Sequence, residues 1–128
     1  MTAGALARGV VGVVISGRCR DLSEHRSLAF PVFARGRSTL GQLHFTRPSA
    51  VNVALTIVSE GAGNFPPATI HPGDWIIADE NGVVCIPDAL REQVIELAMK
   101  GREIDCNCMK DIKAGKGVKA SFQAHRGQ

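Results

Sequence analysis

Two adjacent residues, Arg20 and Asp21, concentrate more potential chemistry than any other part of the chain. They follow an apolar segment, residues 9–16, whose β-branched side chains are typical of a strand. The Asp21 carboxylate is the kind of hard oxygen ligand that Mg²⁺ or Mn²⁺ prefers. The Arg20 guanidinium can hold a keto oxygen or a carboxylate through its fixed N–H donors. Together the two side chains suit an anionic oxo acid bound to a metal.

A structural interpretation of the same pair is also open. Asp21 begins the sequence Asp21-Leu22-Ser23-Glu24, which has the spacing of a capping box. A carboxylate at this position commonly accepts hydrogen bonds from the first turn of a helix. On this interpretation Asp21 caps a helix over residues 22–28 and Arg20 is a solvated surface cation. The local pattern alone favours capping.

The elements that position this pair are predicted to be a strand, a short helix and a second strand. Residues 9–16 lack polar alternation, as does a parallel strand covered on both faces. Residues 30–34 predict the second strand, with Pro31 near its start, where a missing N–H is tolerated. This order predicts a βαβ crossover. Ligands of parallel sheets bind beyond the carboxyl ends of the strands, which is where Arg20 and Asp21 lie.

The middle of the chain predicts further strands. Residues 51–58 alternate well enough for a third strand, and the glycines and prolines of residues 61–67 predict a surface loop after it. Residues 75–78 and 83–86 predict a hairpin, because the four residues between them, Asp-Glu-Asn-Gly, form a tight-turn sequence.

The C-terminal third predicts helices. One helix opens at Pro87-Asp88 and keeps helical spacing to about Lys100, where Gly101 ends or bends it. A second amphipathic segment is predicted over residues 102–112. From Gly115 onward the polar, glycine-rich sequence predicts a loose tail.

Composition places limits on the class of protein. The chain has 128 residues, of which 45% are apolar, so we expect one domain over residues 1–128 with its core in residues 5–100. The formal charge of +3 is dispersed and Tyr is absent, which argues against nucleic-acid binding by stacking. No apolar stretch is long enough to span a bilayer, so we expect a soluble, cytoplasmic protein.

Other polar residues are assigned simpler roles. His25 lies close enough in sequence to reach Arg20 and Asp21, but a histidine on a helix surface is the commoner case. Asp74 and Asp79 are predicted to be turn residues. The segment Cys106-Asn107-Cys108 lacks the second pair of ligands that a structural zinc site needs. None of them is predicted to carry the chemistry.

Four segments, taken with their order and spacing, resemble a known family. They are residues 12–21 (GVVISGRCRD), 30–36 (FPVFARG), 72–79 (PGDWIIAD) and 82–87 (GVVCIP). In this respect the chain is similar to the RraA-like family, which includes the regulator of ribonuclease E activity A, 4-hydroxy-4-methyl-2-oxoglutarate aldolases and oxaloacetate decarboxylases. The resemblance extends from about Ala5 to Lys100.

The resemblance implies an α/β fold of the β/β/α swivelling type, assembled as a homotrimer or as a hexamer of two trimers. It implies that Arg20 binds substrate and that Asp21 ligates the divalent metal, with Glu24 as a possible supporting residue behind them. The family also has a glycine-containing loop about twenty-one positions before the arginine. In this chain that position falls before Met1, so an N-terminally truncated member is expected.

The predicted function is therefore a Mg²⁺- or Mn²⁺-dependent lyase that cleaves 2-oxo acids to pyruvate through a metal-stabilised enolate, with Arg20 and Asp21 as its catalytic residues. The alternatives are a non-catalytic module that binds a ribonuclease or a helicase, and an inactive fragment. Asp21 distinguishes them, because a regulator does not need a metal-binding carboxylate whereas an aldolase of this kind does.

Overall fold

A computed structural model of the chain describes residues 1–58 and 66–127. It has the mixed α/β fold that the sequence predicts, and it divides into two compact units, Met1–Cys85 and Ile86–Gln128. The single domain expected over residues 1–128 stays a prediction. The α-helices and strands up to residue 86 are α1 (Thr2–Leu6), β1 (Val13–Cys19), α2 (Leu22–Ser27), β2 (Val32–Arg37), β3 (Leu55–Ile57), β4 (Ala68–Ile70), β5 (Trp75–Asp79) and β6 (Gly82–Ile86).

The strand, helix and strand at the start of the chain form the predicted βαβ crossover. Strands β1 and β2 pair in parallel, from Val13 opposite Val32 to Cys19 opposite Arg37. Both strands begin and end a few residues later than the sequence pattern indicated. The pairing starts where the backbone N–H of Val13 donates to the carbonyl of Pro31, 3.0 Å away. Helix α2 ends at Ser27, within one residue of its predicted end.

The expectation that β1 is covered on both faces is wrong for the described part of the chain. Val13 and Val14 are 37% and 40% exposed, and β2 is the strand that pairs with β1 in a two-stranded sheet. A run of β-branched residues shows that a segment can form a buried strand. Whether burial occurs depends on the other layers that pack against the strand. The most buried apolar residue of this unit is Phe30, at the entry to β2.

The remaining strands form two small sheets. Strand β3 is shorter than the predicted residues 51–58, and it pairs antiparallel with β4. Residues 61–65 of the predicted loop lie outside the described residues. Strands β5 and β6 form the predicted hairpin around Glu80 and Asn81. That prediction is confirmed because a two-residue turn is specified by local sequence.

The second unit is helical. A short 3₁₀ turn, Asp88–Leu90, leads into α3 (Arg91–Lys113), and α4 (Val118–Arg126) follows after a tight turn. The helix does not end at Gly101, which was one of the two outcomes predicted there. One glycine costs a helix only about 1 kcal/mol, and the flanking turns continue the hydrogen-bonding pattern. The loose tail predicted from Gly115 is wrong. There, α4 packs on α3 and buries Cys108 and Ser121 between them.

Among residues 1–58 and 66–127, no helix is both long enough and apolar enough to cross a membrane.

Candidate active site

A cleft of about 720 Å³ lies at the carboxyl ends of β1 and β2. It is built from the last residues of both strands and from the segments that follow them. Its polar lining comprises Arg18, Arg20, Asp21, Ser23, Arg37, Ser38 and Thr39. The parallel pairing of β1 with β2 is the reason that two segments distant in sequence meet here.

Hydrogen bonds fasten the two strand ends to each other. The backbone N–H of Ser38 donates to the carbonyl oxygen of Cys19 across 2.8 Å. In the opposite sense, Nη1 of Arg18 donates to the carbonyl oxygen of Arg37 at 3.0 Å. These contacts hold the start of each following segment in place, so the position of Arg20 and Asp21 relative to β2 is set by the sheet.

Asp21 does not act as the predicted capping residue. It occupies the N-cap position of α2, but its side chain makes no capping hydrogen bond. Its backbone lies in the left-handed region, with φ 62° and ψ 38°, which aspartate tolerates better than most residues do. The carboxylate instead faces its neighbour, with Oδ2 at 3.3 Å from Nε of Arg20, and the side chain is 55% exposed. Much of its capacity to accept hydrogen bonds or bind a cation is therefore free.

Arg20 lies beside Asp21 with its guanidinium open to the cleft. Its side chain is 54% exposed, and within the described ranges its polar contact is the one to Asp21. The backbone of Gly41 approaches it closely, since a Cβ at that position would lie 3.4 Å from Nη1 of Arg20. A side chain at position 41 would therefore be in van der Waals contact with the guanidinium.

The charge of the cleft is positive. Three guanidinium groups, those of Arg18, Arg20 and Arg37, belong to residues that line it, against the single carboxylate of Asp21. Ser38 and Thr39 add hydroxyl groups. Such a surface attracts anions and offers them several hydrogen-bond donors. The arrangement suits a small, negatively charged ligand.

The sequence did not predict a role in the site for Arg37, Ser38, Thr39 or Gly41. A signal for three of them existed, because they follow directly on the second strand of a predicted parallel pair, as Arg20 and Asp21 follow the first. The end of that strand was predicted at residue 34 and lies at Arg37, and this shift hid them. Gly41 gives no such signal, since its closeness to Arg20 depends on the path of the loop.

Glu24 and His25 contact the first two residues of the chain, at the start of helix α1. The carboxylate of Glu24 lies 3.6 Å from the amino group of Met1. Nδ1 of His25 is 2.8 Å from the hydroxyl oxygen of Thr2, a residue that is 4% exposed. Both residues thus join α2 to α1 in this structure. A supporting role for Glu24 behind the Arg20-Asp21 pair stays a prediction.

The side chains of the cleft fit a magnesium ion that takes most of its ligands from water and substrate. Among the described residues, His, Cys, Asp and Glu side chains form no group of three that could hold a metal ion. Mg²⁺ is commonly bound by one or two carboxylates, with water and substrate oxygens completing its six ligands. Asp21 is a half-exposed carboxylate in a cleft large enough for such ligands. Its chemistry fits that case.

The two aspartates predicted as turn residues have that role. Oδ2 of Asp74 accepts a hydrogen bond from the backbone N–H of His71 at 2.7 Å. Oδ1 of Asp79 accepts one from the backbone N–H of Asn81 at 2.8 Å, and this bond holds the pKa of Asp79 below its usual value. Burial, aided by the nearby Asp74 carboxylate, raises the pKa of the Cys85 thiol. These groups serve the hairpin region.

Comparison with known proteins gives a consistent family match. The family model described as Aldolase/RraA, RraA-like, matches residues 1–85. A protein of Halalkalibacterium halodurans is 34% identical over 97 residues, 76% of this chain and 42% of its own length. One of Laribacter hongkongensis is 37% identical over 95 residues, 68% of this chain and 50% of its own length. Both carry the name "Putative 4-hydroxy-4-methyl-2-oxoglutarate aldolase".

Two further matches carry no functional name. An uncharacterized protein of Methanocaldococcus jannaschii is 33% identical over 122 residues, 90% of this chain and 51% of its own. A crystal structure of an uncharacterized protein from Pseudomonas syringae pv. tomato superposes with a TM-score of 0.85 at 30% identity, over 97% of this chain and 55% of that one. The chain thus spans about half the length of the relatives described here.

Proposed function

Since the chain belongs to the RraA-like family, we propose that it is a lyase that cleaves 2-oxo acids to pyruvate with the help of a divalent cation, Mg²⁺ or Mn²⁺. The proposed reactions are those of a 4-hydroxy-4-methyl-2-oxoglutarate aldolase and of an oxaloacetate decarboxylase. Two relatives that bear the first name support the aldolase class. We also propose that the active protein is a cytoplasmic homotrimer or hexamer.

The observation that carries this proposal is the state of the Asp21 carboxylate. An aspartate that capped α2 would have its oxygens occupied by backbone N–H groups, whereas this one is uncapped and half exposed beside a guanidinium. It lies in a positively charged cleft at the carboxyl ends of two parallel strands. A carboxylate that has no structural partner of this kind is available to a ligand.

Each residue has a proposed task. Asp21 would hold the divalent cation, which would withdraw electron density from the keto group of the bound acid. Arg20 would donate N–H groups to the substrate carboxylate or to the keto oxygen as negative charge grows there. When oxaloacetate loses CO₂, the electron pair of the broken C–C bond moves toward that oxygen. A proton from water then completes pyruvate.

The test is pyruvate release from oxaloacetate, with and without Mg²⁺, after subtraction of the spontaneous decarboxylation that Mg²⁺ itself promotes. We expect wild-type activity to disappear with EDTA and to return with Mg²⁺. Asp21→Asn is expected to lose more than about 100-fold in kcat/KM, because even groups behind a metal ligand are worth 10–100-fold. Asp88→Asn, a change at another exposed aspartate, is the matched control and should retain full activity.

Activity that survives both EDTA and Asp21→Asn would refute the proposed site. Absence of turnover by the wild-type chain on oxaloacetate and on 4-hydroxy-4-methyl-2-oxoglutarate would refute the enzymatic proposal. The rival would then be a non-catalytic module that binds a ribonuclease or a helicase.

A further inference from the structure

One face of α3 is largely exposed, although Asp105 on this face bonds to Arg126 of α4. The face, which we name the α3 stripe, consists of Ala98, Gly101, Arg102, Asp105, Cys106 and Met109. Their spacing of three and four residues places them in one line along the helix. They border a shallow groove of about 560 Å³, and Met109 is 52% exposed there. Cys108, on the face turned to α4, is by contrast 2% exposed.

No contact within the described part of the chain explains why the stripe has a glycine at position 101. It lies in the interior of a 23-residue helix, where glycine is less favourable than alanine. A Cβ built at this position would find no atom within 4 Å, so packing in the described chain does not require its absence. A glycine on an exposed helix face does permit the backbone of another helix to approach closely.

The stripe is complementary to itself when it is read in both directions. Its midpoint lies between Glu103 and Ile104, and a two-fold axis there would set each residue against a different residue of a second copy. The resulting pairs are Ala98 with Met109, Gly101 with Cys106, and Arg102 with Asp105, while Ile95 and Ile112 form the next pair outward. Each pair within the stripe joins a small residue to a larger one or a cation to an anion.

The charged pair fixes the orientation. Arg102 makes no side-chain hydrogen bond or ion pair within residues 1–58 and 66–127. Asp105 accepts one from Nη2 of Arg126 at 2.6 Å, through Oδ1, and its side chain is 62% exposed. The second oxygen, Oδ2, can therefore accept the guanidinium of another copy. Parallel helices in register would instead set Arg102 against Arg102, which costs energy.

We propose that the α3 stripe binds the α3 stripe of a second copy of this chain in an antiparallel, two-fold contact centred between residues 103 and 104. The contact places Gly101 against Cys106 of the other copy and pairs Arg102 with its Asp105. This interaction is independent of the reaction at the cleft. Of the two assemblies proposed above, it is compatible with the hexamer and not with the homotrimer, because a two-fold contact takes one stripe from each of two chains.

Charge reversal provides the first test, with sedimentation equilibrium of the full chain as the measurement. Arg102→Glu and Asp105→Arg each set like charges opposite each other, and each is expected to halve the mass of the assembly at micromolar concentration. The double variant restores opposite charges and is expected to restore the wild-type mass. Glu103→Arg, a reversal outside the stripe, is the matched control and should leave the mass unchanged.

Gly101 provides the second test. Gly101→Leu has space within the chain and favours helix, so we expect unchanged or higher helicity by circular dichroism together with the same halving of mass. Gly101→Cys is expected to form a disulfide with Cys106 of the other copy under mild oxidation, giving a covalent dimer on a non-reducing gel. The same variant with Cys106→Ser should not form this dimer.

Three results would overturn the proposal. One is a wild-type assembly with an odd number of chains, or a monomer. Another is that Arg102→Glu and Gly101→Leu, like the control Glu103→Arg, leave the mass of the assembly unchanged. The third is a double charge variant that remains as dissociated as the single ones although its circular dichroism is that of the wild type.

Discussion

Two aspartates of this chain have opposite surroundings. Asp111, near the end of α3, has a side chain that is 20% exposed, and both of its oxygens are engaged. Oδ1 accepts a hydrogen bond from Nζ of Lys116 at 2.8 Å, and Oδ2 lies 3.0 Å from Nε2 of His125. These two partners hold the pKa of Asp111 below its usual value. Asp21 is 55% exposed and has one charged neighbour, Arg20, at 3.3 Å.

The difference shows how one residue type serves structure in one unit and is left available in the other. The Asp111 carboxylate joins α3 to the turn at Lys116 and to α4 at His125, so its oxygens are used by the fold. The Asp21 carboxylate makes no capping bond and faces a cleft. Removing the first should affect stability, and removing the second should affect ligand binding. The following variants test that separation.

The largest effect, on kcat/KM, is expected when Arg20, the partner of Asp21, is compared with Lys116, a partner of Asp111. Arg20→Ala removes donors from the proposed substrate site, and we expect kcat/KM for oxaloacetate to fall by about 100-fold, the usual loss for one donor to a developing oxyanion. Lys116→Ala removes the partner of Asp111 and should leave kcat/KM unchanged. Arg20→Lys should recover only part of the loss, because lysine lacks the planar fork. Equal kinetics for the Arg20 and Lys116 variants would break the comparison.

A smaller effect is expected from the aspartate of the helical unit. Asp111→Asn removes the charge that Lys116 and His125 share, and we expect the midpoint of thermal unfolding to fall by a few degrees. Pyruvate release per folded molecule is expected to stay at the wild-type level. Asp105→Asn is the control, because it removes one charge of another exposed ion pair in this unit. Its melting midpoint shows how much stability the loss of a surface ion pair costs. An unchanged melting midpoint in Asp111→Asn would show that the paired carboxylate does not stabilise the packing of α4 on α3.

The smallest effect is a change with pH. Because the folded state lowers the pKa of Asp111 from its ordinary value of 3.8, its contribution to stability is fully present above that value. It is lost as the pH falls through the lower pKa of the folded state. Urea unfolding of wild type and Asp111→Asn should therefore differ at pH 5 and converge as the pH falls below 3.8. A difference that grew as the pH fell below 5 would have the wrong sign for a carboxylate whose pKa is lowered by folding.

Local signals predicted part of the fold well. The hairpin of β5 and β6 was predicted almost to the residue, because its turn is specified by the four residues from Asp79 to Gly82. The crossover of β1, α2 and β2 was also predicted, with shifted strand bounds. Elements whose limits depend on distant packing were predicted less well. Helix α4 was missed because its burial requires α3, which no local pattern reports.

The candidate site divides in the same way. That Arg20 and Asp21 follow directly on a strand is a property of the sequence, because an apolar β-branched run has to end where charged residues begin. Their neighbours from the second strand, Ser38 and Thr39, came together with them only through the parallel pairing of β1 with β2. Sequence patterns also favoured the capping role for Asp21 that the fold does not adopt.

The sequence by itself determined which side chains are present at the strand end, the turn of the hairpin and the family to which the chain belongs. Tertiary structure decided whether the oxygens of each aspartate are occupied, since that depends on groups brought from elsewhere in the chain. His125, fourteen residues away, engages Asp111, while the left-handed backbone at Asp21 leaves its carboxylate uncapped beside Arg20. A hydrogen-bond donor has to reach within about 3 Å to occupy an oxygen, and only the folded chain sets such distances.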